Sequence, residues 1–138
     1  MVASRGVIEA TLHALNDAEN SPTLSPAEKS DAIDALSTPD VRGWANGVAR
    51  GGRAAEREAE ALLFALVPDF HRTFDQVVID PPRAAFSWRI TGTESLGGTT
   101  LVVDGATLAR FDDEGRIAEF WLYYDDAFTS GPGVEGDG

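Results

Sequence analysis

With 138 residues, 43% of them hydrophobic, the chain is sized for a single domain that can bury a core of its own. Twenty-three acidic against eleven basic residues give a net charge of −12, which repels phosphate backbones and anionic bilayers and argues against nucleic acid and membranes as partners. The absence of cysteine excludes disulfides, thiolate metal sites and thiol nucleophiles.

No apolar run approaches the ~18 residues of a spanning helix. The opening residues lack a basic stretch followed by an apolar one, so no signal peptide is expected and the cytoplasm is the expected compartment.

In chain order, Val7, Ile8, Leu12 and Leu15 carry the spacing of one helical face, with His13 off that face. Ser25 followed by Pro26 reads as a helix start, and the helix runs to about Leu36 before Ser37-Thr38-Pro39 ends it. Residues 40–46 suit a short strand and residues 47–52 a loop. The next helix spans residues 53–67, with Ala55, Ala59, Leu62, Leu63 and Leu66 as its expected buried stripe and Arg53, Glu56, Arg57 and Glu60 as its wet side. From there the period changes to two, and residues 70–79, 84–91, 101–110 and 117–124 read as four strands separated by turn-forming segments. Helices first and strands after is the order of an α+β domain. One domain over residues 1–128 is expected, with the glycine-rich residues 129–138 as a disordered tail.

Strand alternation sets Trp88 and Ile90 inward against Ala85, Ser87 and Arg89 outward. On the last strand Ala118, Phe120, Leu122 and Tyr124 share the inner face, and Glu119, Trp121 and Tyr123 the outer one. Asp104-Gly105 reads as a turn or bulge, and His71 as a surface residue. Asn46 has two readings, a buried amide that positions a carbonyl or water, or half of an Asn-Gly turn. Asp125 likewise is either a carboxyl at the pocket mouth or a solvated strand end.

The segments STPDVRGWANG, GGRAAEREAEALLFALVPDF, AAFSWRITGT and GATLARFDDEGRIAEFWLYYDD, in this order over residues 7–126, resemble the nuclear transport factor 2-like superfamily and within it the SnoaL-like polyketide cyclase domains. The resemblance implies a cone, also described as cystatin-like, in which a curved, mixed or antiparallel β-sheet wraps around N-terminal helices and encloses an apolar pocket. It covers cyclases, isomerases, dehydratases, epoxide hydrolases and non-catalytic modules, so the fold alone does not assign the chemistry. The acid–base pair of the cyclases falls on Thr107 and Leu122. The water-activating set of the limonene-type hydrolases falls on Trp88, Ile90 and Leu122. The ketosteroid isomerase set falls near Thr11, on Gly43 or Trp44, and on Thr107. None of these slots holds a titratable group.

The expected site therefore has Asn46, Tyr124 and Asp125 as catalytic candidates. Trp44, Phe64, Trp88, Ile90, Thr107, Phe120 and Leu122 are expected to contact a small apolar molecule, with no metal and no cofactor. The expected function is a cofactor-independent cyclase, isomerase or lyase (dehydratase) acting on an apolar polyketide- or polycyclic-like substrate, or else a ligand-binding or dimerisation module of the same fold. Sheet faces commonly pair in this superfamily, so Trp121 and Tyr123 are expected to support a homodimer.

Overall fold

The computed structural model describes residues 1–125, and the tail expected at 129–138 lies outside the described residues. Three helices, α1 (Arg5–Asn20), α2 (Pro26–Ala35) and α3 (Arg53–Leu66), accompany six strands. These are β1 (Ser37–Ala45), β2 (Val48–Ala49), β3 (His71–Asp80), β4 (Arg83–Thr93), β5 (Thr100–Phe111) and β6 (Ile117–Tyr124). They form one mixed sheet in the order β2-β1-β6-β5-β4-β3, in which only the β1–β6 pairing is parallel.

α1 starts where the Ser4 hydroxyl accepts from the Val7 amide, and it continues past Leu15 because Ala18 extends the buried stripe of Ile8, Leu12 and Leu15. Its last residue, Asn20, clamps β3: its side-chain amide donates to the Arg72 carbonyl at 2.9 Å and its oxygen accepts from the Arg72 amide at 2.7 Å. α2 is closed at its start by reciprocal bonds between Ser25 and Glu28, a capping box.

α3 occupies the expected residues but is rotated from its expected orientation. Leu62 is 73% exposed, Ala59 is exposed, and Phe64 and Val67 are buried instead. Two stripes overlap at Leu63, and polar ties to α2 select between them. Arg53 donates to the Asp34 and Ser37 carbonyls, Arg57 to the Asp34 carboxylate, and Ser30 to Glu60. The face expected to be wet thus turns toward α2 and the interior.

β1 begins at Ser37, earlier than expected, because it pairs there with Ile117 of β6. Asn46 and Gly47 both have positive φ, 49° and 84°, and form a two-residue hairpin turn, the second of the two readings of Asn46; it leads into the short β2, where a loop was expected. Asp104-Gly105 is not a turn. It lies inside β5, with Asp104 paired outward to Arg89 and Gly105 opposite Trp88.

Two glycines let aromatic rings lie flat on the inner face. A Cβ at Gly43 would sit 2.2 Å from the Phe120 ring, and one at Gly105 would sit 2.4 Å from the Trp88 ring and 2.7 Å from the Tyr123 carbonyl oxygen. Gly105→Ala is expected to lower stability by about 1–3 kcal/mol through overpacking, read as a reduced midpoint in urea denaturation; an unchanged midpoint would contradict the packing described.

Candidate functional site

The concave face of the sheet and the three helices enclose a cavity of about 320 Å³. Of the residues expected there, Phe64, Trp88, Ile90, Thr107, Phe120, Leu122 and Tyr124 line it. Thr107 and Leu122, which hold the slots of the cyclase acid–base pair, are cross-strand partners on this wall.

Three expected residues lie elsewhere. Trp44 is on the convex face, stacked on Trp121 with centroids 5.2 Å apart and planes 7° apart. The parallel pairing sets Trp44 opposite the outward Trp121, and the inward residues of β1 are Val41 and Gly43. Asn46 is exposed in its hairpin and spends its amide on Tyr124, donating to the carbonyl at 3.1 Å and accepting from the backbone N–H at 3.0 Å. Asp125 is exposed just beyond the end of β6, outside the lining.

The apolar wall and its polar members Trp88, Thr107 and Tyr124 match the sequence expectation; the charged part of the site is not among the expected residues. Glu19, Arg72 and Glu60 all border the cavity. Arg72 is 8% exposed, and it meets Glu19 in a two-pronged ion pair, Nε to Oε1 at 3.0 Å and Nη2 to Oε2 at 2.7 Å. Its guanidinium carbon lies 5.5 Å from the centre of the Trp88 ring and 5.3 Å from that of Phe74. Burial pushes the Glu19 carboxyl up, and Arg72 and Lys29 oppose that rise. Lys29, itself buried, donates from Nζ to the Glu19 carbonyl at 2.7 Å and sits over the Phe64 ring. It thereby satisfies an end-of-helix acceptor of α1 with a cation.

Glu60 projects from the inward side of α3, where the Ser30 hydroxyl donates to Oε1 at 2.8 Å. Burial first, and then the neighbouring charges of Glu56, Asp34 and Glu19, push its carboxyl up to about 7, against the stabilising Ser30 bond. The other acids on the wall have cationic partners: Glu56 has Arg50 at 2.8 Å, Asp34 has Arg53 at 3.8 Å, and Glu19 has Arg72. Among the described residues Glu60 is therefore the wall carboxyl without an arginine. Across the cavity the Trp88 indole donates to Thr107 Oγ1 at 2.8 Å, and Tyr124 packs near the same ring at 6.4 Å between centroids.

Periodicity does carry these positions. Arg72 follows the two-residue alternation between Phe70 and Phe74, Glu19 lies one turn beyond Leu15, and Glu60 one turn before Phe64. Among the described residues no three His, Asp or Glu side chains gather in a way that could hold a metal ion. The arrangement offers one carboxyl poised near neutrality against an apolar space, with hydroxyl and guanidinium donors nearby, which is equipment for moving a proton.

The raised Glu60 pKa has a thermodynamic consequence. Between pH 4.5, the ordinary value, and about 7 the folded protein holds a proton that the unfolded chain has released. Stability contributed by this group therefore falls as pH rises through that window and is level outside it. Subtracting the urea-denaturation profile of Glu60→Gln from that of the native sequence should expose this decline; a flat difference from pH 4 to 8 would refute the assignment.

The SnoaL-like domain family profile matches residues 9–120. No protein among those of curated function matches the sequence. Similar solved structures include a protein from Jannaschia sp. CCS1 classed provisionally as a SnoaL-like polyketide cyclase, with TM-score 0.74 and 22% identity over 91% of this chain and 90% of that one. A nuclear transport factor 2-like protein of unknown function from Exiguobacterium sp. 255-15 gives TM-score 0.71 and 22% identity, over 84% of this chain and 98% of that one. An uncharacterised cystatin-fold protein from Novosphingobium aromaticivorans gives 0.70 and 20%, over 84% and 96%. At these identities the likeness speaks for the fold, which is nuclear transport factor 2-like and cystatin-like, as the sequence segments implied. Profile, sheet order and enclosed cavity agree, and the chain belongs to the SnoaL-like domain family.

Proposed function

We propose that this protein is a cofactor-independent enzyme that moves a proton on a small, apolar, polyketide- or polycyclic-like molecule held in the cavity, as a cyclase, isomerase or dehydratase does. The observation that carries the reading is Glu60, a cavity-wall carboxyl held near neutrality by burial and by neighbouring acids. A group with that pKa is present in both protonation states at cytoplasmic pH, the setting that the acidic composition suits, and can act as acid or base. The cavity volume of about 320 Å³ falls within the range of small-molecule sites, ~300–1,000 Å³. The provisional cyclase class of the Jannaschia relative is compatible with it. One observation favours a binding module instead: the slots of the cyclase pair hold Thr107 and Leu122, neither of which titrates in this range.

5-Nitrobenzisoxazole opens when a base removes its C3 proton, so it reports a general base in an apolar pocket without presuming the natural substrate. The protein should open it at a rate that rises with pH and inflects near 7, and Glu60→Gln should lower that rate by ~10²-fold or more while the probe still binds. Equal rates in the two proteins would remove Glu60 from the chemistry. Binding without turnover by the native sequence would favour the module.

We further propose that the convex face joins two copies of the chain. Val78, Ala85, Leu108, Trp121 and Trp44 follow one another across five strands as register partners, an apolar row flanked by Tyr123, which is 53% exposed. Arg42, Arg83, Arg89 and Arg110 also stand on this face, four of the eleven basic residues of a chain with net charge −12. Glu119 and Asp104 pair with three of these arginines. This face therefore repels a second copy less than the acidic remainder does. Light scattering at micromolar concentration should give about twice 14.7 kDa, and Trp121→Glu should return the mass to 14.7 kDa. A native species of 14.7 kDa throughout that range would sink the proposal.

A further inference from the structure

Arg72 has more donors than the fold uses. The hydrogens of Nε and Nη2 go to the Glu19 carboxylate, and Nη1 carries two more N–H groups with no acceptor among the described residues. Arg72 is 8% exposed and stands in the cavity wall. A second spare donor stands on the same cavity wall. The Trp88 indole N–H can only donate, so in its 2.8 Å bond the Thr107 oxygen must be the acceptor, which leaves the Thr107 hydroxyl hydrogen for another partner. Thr107 is buried and also lines the cavity. Trp88 links the two donors, with Arg72 against its ring and Thr107 at its nitrogen. The described side-chain atoms sealed in protein without a partner are Thr38 Oγ1 and Arg53 Nε, so Arg72 Nη1 is not closed off; Arg72 and Thr107 both line the cavity, where an oxygen brought by the occupant would pair their donors.

The charge of the wall narrows the kind of oxygen. Arg50, Arg53 and Arg72 are matched by Glu56, Asp34 and Glu19, and Glu60 adds an acid without a cation. Lys29 is turned to the Glu19 carbonyl and is not part of the wall. No positive surplus is left to hold an anion. We infer that the occupant carries a neutral carbonyl oxygen, as in a ketone, aldehyde or quinone, that accepts from Arg72 Nη1 and the Thr107 hydroxyl beside the Trp88 ring. The inference rests on the cavity being a site for a small apolar molecule, and it does not depend on Glu60 or on turnover.

Three probes of similar shape test it by titration of tryptophan fluorescence: 2-acetylnaphthalene, 2-isopropenylnaphthalene with the oxygen replaced by a methylene, and 2-naphthoate. The ketone should bind about tenfold more tightly than either of the others, the increment of one hydrogen bond to a charged donor. With a ¹³C-labelled carbonyl, its bound infrared stretch should lie below its position in water. Thr107→Val should shrink the preference for ketone over alkene. The joint change Glu19→Gln with Arg72→Met, which removes both members of the ion pair and leaves Lys29 its bond to the residue 19 carbonyl, should remove it. If that double variant fails to fold, as read by circular dichroism, the Thr107→Val titration and the carbonyl stretch decide. Equal affinity for ketone and alkene, a stretch at the hydrocarbon-solvent position, or tightest binding of the naphthoate would each overturn the carbonyl anchor while leaving the apolar site intact. Failure of all three probes to bind would overturn the site itself, and the anchor with it.

Discussion

The contact between Glu19 and Arg72 joins more of the molecule than any other pair of side chains described above. Glu19 and Asn20 end α1, Arg72 begins β3, and the same few residues tie backbone to backbone and charge to charge. Lys29 brings α2 to the same spot through the Glu19 carbonyl, and the guanidinium in turn packs on Trp88 of β4. Burying an ion pair is a poor way to gain stability, because desolvating both ions costs about as much as their attraction returns. Its effect is to hold a cation at a fixed place in an otherwise apolar wall. Removing one member would leave the other as a lone buried charge, so the two behave as a single structural unit.

The orientation of α3 follows from a similar contest. Its aliphatic residues could have formed a continuous buried stripe, yet Leu62 is exposed and carboxylates are turned in. The polar ties from Arg53, Arg57 and Ser30 to and from α2 and Glu60 fix the helix about its axis, with Phe64 and Val67 anchoring it to the core. The near-neutral Glu60 is a product of that rotation, since a carboxyl on the solvated side would have kept its ordinary value. The electrostatics of the cavity is thus a consequence of how a helix is docked.

The sheet has two faces with different work. Gly43 and Gly105 remove the Cβ atoms that would hold Phe120 and Trp88 off the strands, so the inner face carries broad aromatic rings around an open space. The outer face carries the apolar row through Trp121 and Trp44. Because successive residues of a strand point to opposite sides, one step of parity decides which face a tryptophan serves, as the outward Trp44 shows.

Much of the frame was legible in the sequence: helices before strands, the helix start at Ser25 and Pro26, the two-residue alternation of β4 and of β6 from Phe120 onward (a bulge at Ala118 turns Ile117 inward instead), and a wall containing Trp88, Ile90, Phe120, Leu122 and Tyr124. These follow from local chemistry and periodicity, which a linear reading contains. The parity of β1 depended on its parallel partner in β6, nearly eighty residues away, and so could not be read from residues 37–45 alone. The roles of Glu19, Arg72 and Glu60 depended on which helix face met which strand, and the free energy of a charged group is set by the neighbours and solvent that this docking leaves it. Residue order determined that an apolar pocket would form. Tertiary contacts alone decided that it would hold a buried ion pair and a carboxyl near neutrality.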